Sequence, residues 1–280
     1  MELLSLNKVD VIMCTWNSNK PWFKRCLLSI KREIPICHFI VVDRFSKDGT
    51  QETIRRLFPE ATIIESNLNL GRARAEAIKY VDTEWFVFVD DDIELFNGWY
   101  KTILKYLSPT IGALAFVALP EVEWLKKYAY SSRKIAESLR RKWVEERGIY
   151  CTNTLVRTEL VRDWFPPRFL SSCEDAHLSK HIINKGYETV LVWNYYVRHH
   201  GIFGLKSAKK KLWHYSGARL LKHTPMTTRR LIRRLLISPL RALYVGIKIK
   251  EAMIIPYIIF SDFYSLKGWL KWNKYIVWKR

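Results

Sequence analysis

The feature that most constrains this fold is a regular alternation of short apolar runs and amphipathic segments over the first hundred residues. Four runs rich in β-branched or aromatic residues are typical of strands: Val9–Cys14, Phe39–Asp43, Ala61–Glu65 and Trp85–Val89. The segments between them carry apolar residues three to four positions apart, as a helix with one buried face requires: Pro21–Glu33, Thr50–Phe58 and Arg72–Val81. This alternation predicts an α/β fold with a mostly parallel sheet flanked by helices on both faces.

A less regular version of the pattern continues to about residue 204. Further strands are expected at Ile111–Leu119, Tyr150–Val156 and Glu188–Arg198, and further helices at Gly98–Leu107, Glu121–Arg147 and Asp175–Lys185. The residues that follow differ in composition. We therefore divide the chain into an α/β domain over 1–204 and an extension over 205–280.

The extension carries most of the charge of the chain. The whole chain has a formal net charge of +20, and residues 205–280 hold 18 Lys or Arg but only 2 acidic residues. In Arg229–Leu236, pairs of arginines alternate with pairs of aliphatic residues, which places the two kinds on opposite faces of a helix. Tryptophans alternate with lysines further on. These patterns predict a basic, amphipathic helical extension that binds an anionic membrane surface.

Cysteine usage and hydropathy indicate where such a protein works. The five cysteines are scattered and contain no C-x-x-C pair, which disfavours a zinc site or a disulfide framework and favours a cytosolic compartment. We find neither a signal peptide nor an uninterrupted apolar run of roughly 18 residues. The expected location is the cytoplasmic face of the cell membrane, with peripheral or monotopic attachment.

Three aspartates, Asp90, Asp91 and Asp92, directly follow the apolar run Trp85–Val89. Carboxylate oxygens are ligands for hard cations such as Mg2+, which are often shared with substrate phosphates. Alternate residues of a strand point the same way, so Asp90 and Asp92 form the natural metal-binding pair. A solvated acidic turn or a helix cap would explain the triplet equally well.

Polar residues also follow the other early strands, where the ligands of such sheets bind. Each group has a candidate role in ligand binding and also a structural alternative. The tryptophan could belong to the core, the carboxylates could cap helices, and the arginines could be solvated. The candidates for a nucleobase or ribose are Thr15, Trp16, Asn17, Asp43 and Asp48, and those for a diphosphate are Gly71, Arg72 and Arg74. No P-loop or G-x-G-x-x-G motif is present, which disfavours a P-loop ATPase or a dinucleotide enzyme.

Two further candidates lie late in the α/β domain. Glu174 and Asp175 precede a helix, where the helix dipole favours negative charge, so helix capping is their structural alternative. His199 and His200 end a strand, where a neutral imidazole can complete a metal site.

In order and spacing, these motifs resemble the family 2 glycosyltransferases, which have the GT-A fold. The resemblance covers about residues 8–204 and rests on these segments: Val11–Asn17, Ile40–Thr50, Asn69–Ala77, Phe86–Leu95 with Gly98-Trp99, Asn153–Arg157, Cys173–Leu178 with Lys185-Gly186-Tyr187, and Val197–Gly201. It implies that 1–204 is the catalytic domain of a metal-dependent enzyme. The donor would be a UDP- or GDP-sugar, and the cofactor Mg2+ or Mn2+.

The resemblance also implies roles for individual residues. Asp90 and Asp92 would form the D-x-D motif, with His199, or failing that His200, as an extra ligand. Asp175 would be the catalytic base of an inverting displacement, with Glu174 as its neighbour and possible substitute. Trp16 and Asp43 would hold the base, although Arg44 stands where this family usually has a small or polar residue, which leaves the choice of base open.

Family members with basic tails of this kind often use lipid-linked acceptors. The resemblance therefore implies a polyprenyl or dolichyl phosphate, or a glycan carried on one. Two alternatives remain open at this stage. A nucleic-acid-binding protein would use the tail on phosphates, although the apolar run Met253–Phe260 and the acidic crevice argue against nucleic acid as the partner. A GT-A-like sugar nucleotidyltransferase would instead release pyrophosphate.

Overall fold

The computed structural model describes residues 6–138, 148–168, 170, 172–201, 204–222, 226–272 and 274. The chain forms two compact units. The first takes its residues from Met1–Ala118, Arg147–Arg168 and Asp175–His200, and the second from Leu119–Glu146, Phe169–Glu174 and Gly201–Arg280. The division at residue 200 is close to the boundary predicted at 204, but two shorter segments cluster with the C-terminal residues. The domain assignment itself stays a prediction.

An eight-stranded sheet organises the first unit, with the strand order β3-β2-β1-β4-β7-β6-β8-β5. The strands are β1 Val9–Thr15, β2 Ile36–Asp43, β3 Thr62–Glu65, β4 Trp85–Val89, β5 Ile93–Glu94, β6 Ile111–Pro120, β7 Asn153–Arg157 and β8 Glu188–His199. The first four strands along the chain pair in parallel, as predicted. Beyond β4, the pairings β4–β7, β6–β7 and β5–β8 are antiparallel.

Helices cover both faces of this sheet, which confirms the predicted α/β architecture. Alternate residues of β1 enter different cores: Val11 and Met13 pack with Leu27 of one helix, whereas Ile12 packs with Ala77 of another. The period of two in a strand sends successive side chains to opposite faces. The helices of this unit are α1 Phe23–Glu33, α2 Thr50–Leu57, α3 Leu70–Ile78, α4 Trp99–Leu104 and α6 Glu174–Asn184, whose first residue belongs to the second unit.

The second unit is mainly helical in the residues that the structure describes. Its helices are α5 Glu123–Ser138, α7 Lys211–Leu221, α8 Thr228–Leu236, α9 Ser238–Ile249 and α10 Ile254–Leu270. The carboxylate of Asp262 on α10 is buried and accepts hydrogen bonds from Arg234 of α8, at 2.7 Å, and from Arg241 of α9. These ion pairs join α8, α9 and α10. They also offset the free-energy cost of burying the charge of Asp262.

Parts of two sequence predictions lie outside the described residues: the end of the helix predicted over Glu121–Arg147, and the last tryptophan and the last lysine of the tail. Within the part of the chain that the structure describes, no helix combines the length and the apolar character needed to cross a bilayer.

Candidate active site

The three aspartates that follow β4 have three different partners. The guanidinium of Arg74 donates to Asp90 Oδ1 at 2.6 Å. The hydroxyl of Ser18 donates to Asp91 Oδ2. The imidazole Nε2 of His199 lies 3.1 Å from Asp92 Oδ2. The three aspartates are adjacent and chemically identical, but each therefore has a different environment in the site.

Asp92 and His199 are brought together by β5, a strand of only two residues that the sequence pattern did not predict. Ile93 of β5 pairs with His199 of β8, and the backbone N–H of His200 donates to the carbonyl of Asp92 at 2.9 Å. A carboxylate oxygen and an imidazole nitrogen at this separation can both ligate one divalent cation in place of the contact between them. The residues present therefore fit a metal site.

Asp90 is held mainly by Arg74 of α3. The Arg74 side chain is 4% exposed and that of Asp90 is 25% exposed. Burial raises the pKa of Asp90, while Arg74 opposes that rise by favouring the ionised form. One Asp90 oxygen is thus committed to an ion pair with a cationic side chain, whereas Asp92 faces an imidazole. The metal-binding role of Asp90 stays a prediction.

Asp91 is not an exposed member of the triplet. Burial and the neighbouring charge of Asp92 raise the pKa of Asp91 to about 7, against the opposing effect of the Ser18 hydrogen bond. Ser18 was not singled out from the sequence, because it lies three residues past the end of β1 and belongs to no recognisable motif.

The edge predicted to bind the nucleobase is formed by the ends of β1 and β2. Thr15 and Asp43 are paired across these strands, and the Thr15 hydroxyl donates to Asp43 Oδ2 at 2.7 Å. The Trp16 side chain is 61% exposed, and the guanidinium of Arg44 lies 4.7 Å from its ring centroid. Trp16 is therefore a surface ring available for stacking and not a core residue.

The carboxylate of Asp43 is fully hydrogen-bonded by the protein itself. Oδ1 accepts from the backbone N–H of Ser46 and from Gln51 Nε2, and Oδ2 accepts from the hydroxyls of Thr15 and Ser46. Burial raises the pKa of Asp43, but these hydrogen bonds outweigh it and the net shift is downward. A nucleobase would have to replace one of them, so the base-binding role of Asp43 stays a prediction.

The remaining loop candidates have local partners. Asn17 has a positive φ of 50°, and its side-chain oxygen accepts from the backbone N–H of Lys47 at 2.9 Å. Asp48 accepts from the backbone N–H of Asn19 at 3.0 Å. Gly71 lies buried in the first turn of α3. These contacts shape the loops at the sheet edge.

His200 belongs to a neighbouring cluster. Its side chain is fully buried, its Nε2 lies 2.9 Å from Glu94 Oε2, and its ring stacks on Trp22. Its Nδ1 lies 3.5 Å from a guanidinium nitrogen of Arg25. Among the contacts described, the His199 ring lies against a carboxylate of the aspartate triplet, whereas the His200 ring lies against Glu94, which favours His199 as the metal ligand.

The predicted catalytic base lies at the start of α6. Asp175 Oδ1 accepts from the backbone N–H of Ala176 at 2.7 Å, and Glu174 is buried. Cys173, directly before the helix, has a positive φ of 67° that turns the chain into it. Both acids lie at a helix N-terminus, where negative charge is favoured. Their catalytic roles stay predictions.

A separate group of potential ligand atoms is formed by Asp10, Cys37 and His38. Asp10 lies near the start of β1 and is fully buried. Its carboxylate accepts from the backbone N–H groups of His38, Asp82 and Thr83. These bonds join the starts of neighbouring strands, so the structural role accounts for Asp10 without a metal.

Comparison with known proteins identifies the family. The model of glycosyl transferase family 2 matches residues 10–165, which is more than half of the chain. No curated protein sequence matches the chain significantly.

Three solved structures illustrate the fold. The mannosyltransferase PcManGT from Pyrobaculum calidifontis, in complex with GDP-Man and Mn2+, is 17% identical with a TM-score of 0.63, over 96% of this chain and 89% of that one. Glucosyl-3-phosphoglycerate synthase from Mycobacterium tuberculosis, with Mn2+, UDP and phosphoglyceric acid, is 14% identical with a TM-score of 0.57, over 80% and 81%. The 1–349 fragment of S. aureus TarS is 15% identical with a TM-score of 0.52, over 92% and 91%.

At these identities the structural likeness establishes the fold alone, and the match to the family model establishes the membership. The predicted α/β fold and the predicted family are confirmed, whereas the membrane-binding role of the C-terminal extension stays a prediction. The chain belongs to glycosyl transferase family 2 and is a glycosyltransferase.

Proposed function

We propose that this enzyme transfers a sugar, with inversion, from a UDP- or GDP-linked donor to a polyprenyl or dolichyl phosphate or to a lipid-linked glycan. The observation that carries the proposal is the Asp92–His199 pair, at the edge of the sheet where Trp16 is exposed. A site for a divalent cation together with a stacking platform is what a nucleotide diphosphate donor requires. The structures of similar fold with GDP-Man or UDP support this donor class.

Asp92 and His199 would hold the cation, with Asp90 beside them. When bound, the divalent ion would neutralise the charge that develops on the departing nucleoside diphosphate. Mg2+ prefers oxygen ligands, whereas an imidazole is more usual for transition metals, so the pair favours Mn2+ over Mg2+. The Mn2+ in two structures of similar fold agrees with this choice.

The other residues would orient the two substrates. Trp16 would stack on the base, and Asp43 would accept from it after giving up an internal hydrogen bond. With a hydroxyl acceptor, Asp175 would take the proton as the oxygen attacks the anomeric carbon. With a phosphate acceptor no base is needed, because the attacking oxygen is already anionic, and Asp175 would then position the acceptor.

The lipid-linked acceptor is supported by an exposed apolar face on α9. Leu240, Leu243, Tyr244 and Ile247 share one helix face and are 76%, 50%, 61% and 70% exposed. The opposite face of α9 is buried through Ala242 and Val245. A contiguous exposed apolar patch of this kind marks an interaction site.

Charge supports an anionic bilayer as the partner of this face. Arg229, Arg230 and Arg233 on α8 are exposed, and Lys248 lies on α9 itself. Basic residues near an anionic membrane surface each contribute on the order of 1 kcal/mol. We propose that the enzyme works at the cytoplasmic face of the cell membrane, with peripheral or monotopic attachment through this surface.

A panel of UDP- and GDP-sugars with and without Mn2+ tests the donor assignment. Donor binding stabilises the folded state, so the correct donor should raise the Tm only when Mn2+ is present. Asp92→Asn should abolish this shift. Asp82→Asn, whose side chain is 80% exposed, is the matched control and should behave as wild type. A panel without any shift, or a full shift in Asp92→Asn, contradicts the proposal.

A further inference from the structure

Two arginines, Arg72 and Arg168, lie near the start of α3. The guanidinium carbon of Arg72 lies 3.4 Å from the ring centroid of Phe165. Asn69, which caps the helix, accepts from the backbone N–H of Arg72 and donates to the backbone carbonyl of Arg168 at 2.8 Å. One buried asparagine therefore holds the two arginine-bearing segments together.

The two arginines lie close together without an acidic partner. Burial and the charge of Arg168 lower the pKa of Arg72. The Arg72 Nε is buried and has no hydrogen-bond partner. Within the residues that the structure describes, neither guanidinium forms an ion pair with a carboxylate. An arrangement that brings two cations together and leaves a donor unsatisfied costs free energy, which a bound anion would recover.

The side chains of Arg72 and Arg74 leave α3 in different directions. Arg74 contacts Asp90, and residues two positions apart on a helix point about 200° apart, because each residue turns the helix by about 100°. Arg72 therefore faces a different direction from Arg74. A donor diphosphate held by a cation at Asp92 and His199 leaves the Arg72–Arg168 pair for another anion.

We propose that Arg72 and Arg168 bind the phosphate of a lipid-phosphate acceptor. This inference rests on the proposed function. Guanidinium groups bind phosphate through paired, charge-assisted hydrogen bonds. Phe165 is 58% exposed, so its ring offers apolar surface beside that phosphate, where the hydrocarbon chain of a polyprenyl phosphate begins. The two arginines thus match the phosphate of such an acceptor, and the Phe165 ring matches its hydrocarbon chain.

Calorimetry with farnesyl phosphate and with uncharged farnesol tests the assignment, using the full chain with Mn2+. The wild type should bind farnesyl phosphate and discriminate against farnesol. Arg168→Ala should weaken farnesyl phosphate binding by about tenfold to a hundredfold, the usual effect of losing a charge-assisted hydrogen bond. Arg168→Lys should retain part of the affinity, and Arg56→Ala, an exposed arginine on α2, should leave it unchanged.

The donor thermal shift, measured on the same variants, separates this inference from the proposed function. Arg168→Ala should leave the shift produced by the nucleotide sugar intact. If it lowers donor binding as much as farnesyl phosphate binding, the pair serves the donor and the inference is wrong. Unchanged farnesyl phosphate binding in Arg168→Ala overturns it as well. Arg168-dependent binding of farnesyl phosphate without any donor shift would support this site while refuting the glycosyl-transfer proposal.

Discussion

Replacing Arg74 by methionine tests how the aspartate triplet is organised. The substitution keeps most of the apolar volume and removes the charge that faces Asp90 at 2.6 Å. Removing one partner of a buried ion pair costs about 3–5 kcal/mol, because the other charge is left unpaired. A quarter of the Asp90 side chain is exposed, so we expect the low end, about 3 kcal/mol. For a unit of this size, that corresponds to a fall in Tm of roughly 6–12 °C.

A double-mutant cycle measures this interaction directly. Thermal unfolding of the wild type, Arg74→Met, Asp90→Asn and the double variant should be followed without metal. The double variant should be more stable than Arg74→Met alone, because it no longer contains a buried unpaired carboxylate. Mn2+ should stabilise Arg74→Met more than the wild type, since Asp90 becomes free to bind the ion. Additive effects of the two substitutions would refute the reasoning.

Three further outcomes are expected. His199→Ala should weaken Mn2+ binding at least tenfold in calorimetry. His200→Ala should lower the Tm but leave the Mn2+ affinity of the folded protein unchanged. The reverse pattern would make His200 the ligand. Leu240→Glu should release the protein from anionic liposomes in flotation while preserving donor binding, and continued flotation would exclude the α9 face. Ser46→Ala removes a hydrogen bond that lowers the pKa of Asp43 in the folded protein. As the pH falls, the variant should therefore lose the stability contributed by ionised Asp43 at a higher pH than the wild type does. An acid-unfolding midpoint equal to that of the wild type would contradict this.

The secondary structure of the α/β region was largely predictable because its signal is local. The run Trp85–Val89 is an observed strand with identical bounds, and the helix predicted from Thr50 begins at that residue. The period of hydrophobic residues depends only on near neighbours. The sequence did not reveal β5, because two residues carry no period, and β5 is the strand that joins Asp92 to His199.

The candidate site was predictable in its residue types but less so in their pairing. The sequence predicts a diphosphate site at both arginines of α3, and that role stays a prediction; the structure shows Arg74 paired with Asp90 and Arg72 over the Phe165 ring. Which of the two faces the triplet depends on the rotation of α3 about its axis. Packing in the core sets that rotation, through contacts between residues far apart in the sequence.

Three consecutive aspartates at the end of one strand present an electrostatic difficulty. Like charges at this spacing, partly removed from water, disfavour full ionisation of all three. Each aspartate has a different partner in the structure. Arg74 neutralises Asp90, and His199 lies beside Asp92. Ser18 donates to the Asp91 carboxyl, whose pKa is raised to about 7. The three carboxylates therefore differ in their partners, although they are adjacent in the sequence and chemically identical. It follows that the three positions are not interchangeable, because a substitution would remove an ion pair at Asp90, a hydroxyl hydrogen bond at Asp91 and an imidazole contact at Asp92.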